Sequence, residues 1–437
     1  MGGVTARLTV SNPKRDRLLL GAAMLVAITP VWSTAAYSIS LSMLLGAWLF
    51  AMPWRRPDWR PPFLVGSAIF AASLAAASAA APNPAAAWEE FSSYYPFLLL
   101  FLGADAARSL RDQRAIGIAF LVSAGIAAAA ATLSVLGFFE GQDTRFRGTV
   151  GIFEYAYAMV IGWSLAAWAF LRVRTRIAAA GCFALSLLFL PAIILNATRA
   201  SLVAAIAAAL VLVVMGWRSW PRLLLLFTPL IAAVPLATQS ELGARLLKVG
   251  REFRLEDPQS QRQVIWAHAW ALFQDHPVIG SGPGAFSTRA AELKGDDRLK
   301  GYPRLRHPYR TAHSIPLHLL ATSGLIGLLG FLIWTADVAK RFLRGARTAL
   351  DGAAPALISL AVMLAFGATD MSLLNTRISG LFCLALGVSA GALRSARVGG
   401  PRVVPALSHE SADLTGSGEP AGTSTAVSLP AVRAATP

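Results

Sequence analysis

The chain reads as a series of apolar runs, most of them long enough to cross a bilayer, separated by short connections in which arginine recurs. A span needs roughly 20 mostly apolar residues. By that measure about twelve segments qualify, near 18–35, 37–52, 63–81, 92–106, 115–138, 152–171, 177–195, 200–215, 221–237, 314–339, 350–369 and 378–396. Runs such as Leu98-Leu99-Leu100-Phe101-Leu102 lack strand alternation, and only helices or closed barrels satisfy their backbone in lipid, so an all-α polytopic membrane protein is expected. Composition agrees: 14% of residues are charged, against about 25% in a soluble domain. The two cysteines, Cys182 and Cys383, lie in apolar runs, which removes disulfide scaffolds, zinc ribbons and CxxC chemistry.

The first apolar run follows a basic start (Arg7, Lys14, Arg15, Arg17), but a second run follows at once, so it is expected to be an uncleaved helix rather than a signal peptide. The organisation expected is nine spans in 1–237, an outer loop domain in 238–312, three spans in 313–397 and a disordered inner tail in 398–437, rich in Ser, Thr, Ala, Pro and Gly.

The net charge of +16 would point to nucleic acid in a soluble protein; here it maps onto sidedness. With an inner N-terminus and alternating spans, 23 basic residues fall inside, including the clusters Arg55/Arg56/Arg60, Arg108/Arg111/Arg114, Arg172/Arg174/Arg176 and Lys340/Arg341/Arg344/Arg347. Only Arg145, Arg147, Arg199 and Arg377 fall in short outward connections. Arg199 is the sharpest of these, because Asn196-Ala197-Thr198-Arg199 is the one polar break between two apolar runs. An arginine within a span costs about 2.5–3.5 kcal/mol, less near the boundary, so one kept there invites a partner.

The long outward segment has its own pattern. In Glu241–Glu256, Leu242, Leu246, Val249 and Phe253 form an apolar stripe ringed by Arg245, Lys248, Arg251 and Arg254, an amphipathic helix suited to a membrane surface. A second helix then carries Arg262, Trp266, Trp270 and Phe273 on one face. The run His276-Pro277-Val278-Ile279-Gly280-Ser281-Gly282-Pro283-Gly284 has no GxxxxGK[ST] and reads as a structural turn before a phosphate loop. A basic stretch, Arg298 to Arg310, leads to Thr311-Ala312-His313-Ser314 at the mouth of the next span.

Arginine suits phosphate because its planar fork donates two parallel hydrogen bonds and keeps its charge. Histidine exchanges a proton near neutral pH, and nearby arginines would hold it neutral, as a base requires. Taken singly, each has a plainer reading: an outward arginine anchors lipid headgroups, a lone histidine near a helix end is structural, His268 and His318 pack, and Trp266 and Trp270 form an interfacial belt before they form a sugar platform. Convergence favours a site, since Arg145, Arg147, Arg199, Arg262 and His313 are scattered in sequence yet fall on one side. Outward carboxylates occur at Glu89, Glu90, Glu140, Asp143, Glu154 and Asp370, without a DxD or HExxH, so neither metal nor cofactor is expected.

Three elements in order, Thr198-Arg199-Ala200-Ser201, then Arg262-x-x-x-Trp266 with His276–Gly282, then Ala312-His313-Ser314-Ile315-Pro316-Leu317-His318 running into Ser323-Gly324-Leu325-Ile326-Gly327, resemble the O-antigen ligase and polymerase superfamily. The resemblance implies a multi-pass glycosyltransferase of the bacterial inner membrane, with both termini cytoplasmic and a periplasmic active site. Its ligase branch moves O-antigen glycan from undecaprenyl pyrophosphate onto lipid A core oligosaccharide, with no nucleic acid involved. By motif, Arg199 and Arg262 match the family's essential outer arginines, His313 its loop histidine and, more loosely, Arg147 another basic element. Many relatives carry an HxHN-like exit; here Thr311 and Ser314 replace its first His and its Asn, which favours ligase over polymerase. A polymerase, a protein O-oligosaccharyltransferase, a lipid-linked glycan flippase and an envelope scaffold remain as alternatives. The flippase would need mid-bilayer ionisable groups or repeated halves, and neither is evident.

The mechanism expected for such a donor uses Arg145, Arg147, Arg199 and Arg262 to neutralise the departing pyrophosphate and His313 to take the proton of the attacking hydroxyl, with inversion and without a divalent cation.

Overall fold

A computed structural model describes residues 13–51, 63–135, 151–196, 198–238, 261–293, 295–300, 302 and 309–398. The amphipathic stretch expected at 241–256 and the tail from 399 onward lie outside the described residues, as do Arg145 and Arg147. Every regular element among the described residues is helical. The α-helices are α1 (Pro13–Ile28), α2 (Thr34–Ala51), α3 (Leu64–Ala79), α4 (Pro84–Ser92), α5 (Leu99–Ala106), α6 (Leu110–Val135), α7 (Ile152–Arg172), α8 (Arg176–Asn196), α9 (Arg199–Gly216), α10 (Trp220–Thr238), α11 (Gln261–Asp275), α12 (Phe286–Glu292), α13 (Ile315–Ala346), α14 (Leu350–Gly367) and α15 (Thr376–Val398).

Eight described helical stretches have the length and apolarity to cross a membrane, one of them running from Ala200 to Pro229 through α9 and into α10, which were expected as two spans. The chain is an all-α, multi-pass membrane protein. Helices α1 and α3, 16 residues each, and α5, only 8, are shorter than a full span. All three contribute to a single core, through Leu19, Phe70 and Leu99 among others. Helix α7 is the most enclosed of the early helices long enough to span, with Tyr155 through Ser164 all buried, whereas α9 turns Ile206, Leu210 and Val214 outward at the four-residue spacing of a lipid-facing stripe.

Side-chain contacts sort the helix ends into two sets. At one end, Arg172 pairs with Asp351 at 2.7 Å and Arg108 with Asp16 at 3.0 Å. There Arg222 donates to the carbonyls of Phe170, Leu171 and Val173, which close the C-terminus of α7. These arginines are among those expected inside. The other end gathers the start of α7, the end of α8, and the starts of α9, α13 and α15.

Helix α13 is broken. Gly324 has φ 61 and ψ −160 in mid-helix, so carbonyls and amides around it lose their i,i+4 partners. The 276–284 turn supplies replacements. Ser281 and Gly282 donate their backbone N–H to the carbonyls of Ala321 and Thr322, each at 2.9 Å, and Ser281 Oγ also donates to Ala321 at 2.8 Å. In return Leu325 and Ile326 donate to Pro277 and Val278 at 2.9 and 3.2 Å. The backbones approach so closely that a Cβ at Gly324 would meet the Val278 carbonyl, and one at Gly280 the Thr322 carbonyl carbon. The glycine-rich run is thus a latch on a broken helix.

A second, smaller core sits above this latch: Ile265, Ala269 and Leu272 of α11, Phe286 and Ala290 of α12, and Ala312 and Ala321. Arg298 ties the following connection to α11, pairing with Asp275 at 2.7 Å and with Asp296. These contacts place the approach to α13 against α11.

Candidate functional site

His313 precedes the N-cap of α13, Ser314, and is the one non-glycine among the described residues with a positive φ, 48°. Left-handed backbone in a residue with a Cβ costs about 1–3 kcal/mol and persists where surroundings impose it. Its side chain shows what does so. Nδ1 lies 3.1 Å from Asp370 Oδ1, and the ring meets Tyr309 edge-on at 5.8 Å between centroids. Because a carboxylate only accepts, the bond assigns the proton to Nδ1 and leaves Nε2 as the basic nitrogen. Asp370 is buried and the His313 side chain is 27% exposed. The imidazole is therefore oriented from behind and reachable from the front.

Asp370 was legible only as one of several outward carboxylates. It lies 57 residues from His313, beyond the whole of α13 and α14, and no local spacing signals the pairing. The same connection continues to Asn375, whose Oδ1 accepts the amides of Arg377 and Ile378, each at 3.3 Å, and so caps α15. Arg377 then reaches Glu154 in the first turn of α7 at 2.7 Å, and both are largely buried. Asn196, at the end of α8, donates to Ile152 at 3.0 Å. The 370–377 connection thus contacts His313 through Asp370 and the first turn of α7 through Arg377, and the start of α7 in turn bonds the end of α8.

Arg199 is the first residue of α9, after an N-cap in which Thr198 accepts from the Ser201 amide at 3.4 Å. A cation at a helix N-terminus opposes the macrodipole, so helix stability does not account for an arginine here. Its side chain lies outside what the structure describes. Arg262 sits half-buried in the first turn of α11, and Trp266 follows one turn later, its Nε1 buried and without an acceptor among the described residues. Trp270 is 48% exposed and packs on Phe273 at 5.1 Å. On the face expected to carry Arg262, Trp266, Trp270 and Phe273, Trp270 is exposed and the other three are part-buried, while Val264, Ile265 and Leu272 of the same helix are buried.

His268 is buried and bonds its own helix at the Val264 carbonyl, 2.7 Å away. His318, fully buried, lies between Glu90 of α4 and the amide of Ala312. Among the described residues no three His, Cys, Asp or Glu side chains gather as a metal would need.

Arginines in the first turns of α9 and α11, an oriented imidazole at the mouth of α13 and a glycine latch occur in one stretch of chain. Residues 183–332 match the family model described as O-antigen ligase. The match covers about a third of the chain, includes Arg199, Arg262, the latch and His313, and ends before Asp370. It supports membership of the O-antigen ligase and polymerase superfamily, whose members are enzymes of glycan ligation or polymerisation. No curated protein matches the chain.

Proposed function

We propose that this protein is an O-antigen ligase of the bacterial inner membrane, with its termini in the cytoplasm, the His313 end in the periplasm and residues 238–312 as the outer loop domain. It transfers glycan from undecaprenyl pyrophosphate onto lipid A core oligosaccharide. The observation that carries this reading is the His313–Asp370 contact, a hydrogen-bonded imidazole and carboxylate with the ring part-exposed, in a chain whose residues 183–332, Arg199 and Arg262 included, match the O-antigen ligase family model.

In the proposed step, a hydroxyl of the core oligosaccharide attacks the anomeric carbon of the donor and gives its proton to His313 Nε2. The bond from that carbon to the pyrophosphate oxygen breaks, and the electron pair leaves with undecaprenyl pyrophosphate. Arg145, Arg147, Arg199 and Arg262 hold the departing charge, while Asp370 steadies the imidazolium. In-line attack inverts the anomeric centre. Trp266 and Trp270 offer apolar faces to sugar or lipid. Four guanidiniums would do electrostatically what a divalent cation does elsewhere, so transfer is expected to survive excess chelator.

The test is reconstitution of the purified protein with undecaprenyl-pyrophosphate glycan and lipid A core. Joined glycolipid supports ligation. Lengthened donor would make the protein a polymerase, and donor that only changes leaflet would make it a flippase.

A further inference from the structure

The His318 imidazole, read from sequence as packing, is held on three sides. Nε2 is 3.2 Å from Glu90 Oε1, Nδ1 is 3.4 Å from the Ala312 amide, and the Phe286 ring lies against it at 5.7 Å. The amide can only donate and the carboxylate only accept, so the ring carries its proton on Nε2. The acceptor so created serves a backbone N–H outside the helix, on a fully buried residue, immediately before the left-handed His313.

Fixing that amide fixes the peptide plane from which the His313 backbone departs. Without an acceptor, a buried amide would reorient the segment to find another, and the strained φ would be the first angle to relax. We propose that His318, gripped by Glu90, is a positioning residue that holds the Ala312–His313 backbone so that His313 Nε2 faces the attacking hydroxyl. Helix α4 thereby becomes part of the base's support, though it lies more than 220 residues away in sequence. The inference rests on His313 acting as the base.

The chemistry predicts which substitutions succeed. Glutamine carries one acceptor and one donor on neighbouring atoms and can serve both the Ala312 amide and Glu90. Phenylalanine fills the space and serves neither. In transfer assays on the purified full chain in lipid, His318→Gln should stay within about threefold of wild type. His318→Phe should lose kcat by roughly 10- to 100-fold with little change in donor KM. Glu90→Gln, which keeps an oxygen acceptor, should resemble His318→Gln, and Glu90→Leu should resemble His318→Phe. Should His318→Phe fail to accumulate, the Glu90 pair carries the same comparison. Equal activity of Phe and Gln variants, or losses in KM alone, would overturn the proposal. Wild-type protein that transfers nothing, or His313→Ala that transfers normally, would instead overturn the reading of the site beneath it.

Discussion

At the scale of single residues, His313 was legible from sequence as a candidate because a histidine at a span mouth, after a basic stretch, can be singled out without tertiary structure. Its left-handed backbone and its carboxylate partner were not, because neither leaves a local pattern. Asp370→Asn should replace an obligate acceptor with an amide that can turn its donor to the ring. Removing the orienting carboxylate of a Ser-His-Asp triad costs about 10⁴ in kcat, which bounds the loss expected here; more than about tenfold, with donor KM held, is the prediction. Initial rates over a range of donor concentrations check it. For Arg262, alanine should cost about 10²–10³ in transfer, and lysine should rescue poorly because an ammonium lacks the fork.

At the scale of elements, the sequence located nearly every helix, since apolar run length is a strong signal, yet it left the latch ambiguous. A turn-rich run reads the same whether it spans a loop or repairs a helix. What it repairs is visible only once Gly324 breaks α13. Gly280→Ala would add a Cβ against the Thr322 backbone at φ 71, combining left-handed strain with overpacking. A loss of more than about 2 kcal/mol is expected, seen as a lowered unfolding temperature in detergent. The 295–300 connection is tied to α11 electrostatically, through Arg298 and Asp275. The Arg298 side chain and amide hold the Asp296 carboxyl down to about 2, below the ordinary carboxylate range. A depressed acid contributes above its ordinary pKa and loses that contribution as pH falls through the folded value. Protection factors of the amides in 295–300, corrected for intrinsic exchange, should therefore hold down to about pH 4 and fall toward pH 2.

At the scale of the whole molecule, the two-ended sorting of charge was the most readable property. Arginines read as inner appear on helix ends that share ion pairs and C-terminal caps, while His313, Asp370, Glu154 and Arg377 collect at the opposite end. The count of spans was less readable, because short helices such as α5 reach the shared core without crossing alone. Together these features support the proposal that an oriented imidazole and fixed guanidinium charge drive glycan transfer without a divalent metal ion. The most direct test compares wild type with His313→Ala, both in lipid with excess chelator, supplied with undecaprenyl-pyrophosphate glycan and lipid A core. Brisk product formation by the wild type, and a rate about 10²–10⁴ lower for the variant at equal protein level, is the predicted result. Equal rates for the two proteins, or wild-type activity that vanishes with chelator and returns with magnesium, would contradict it.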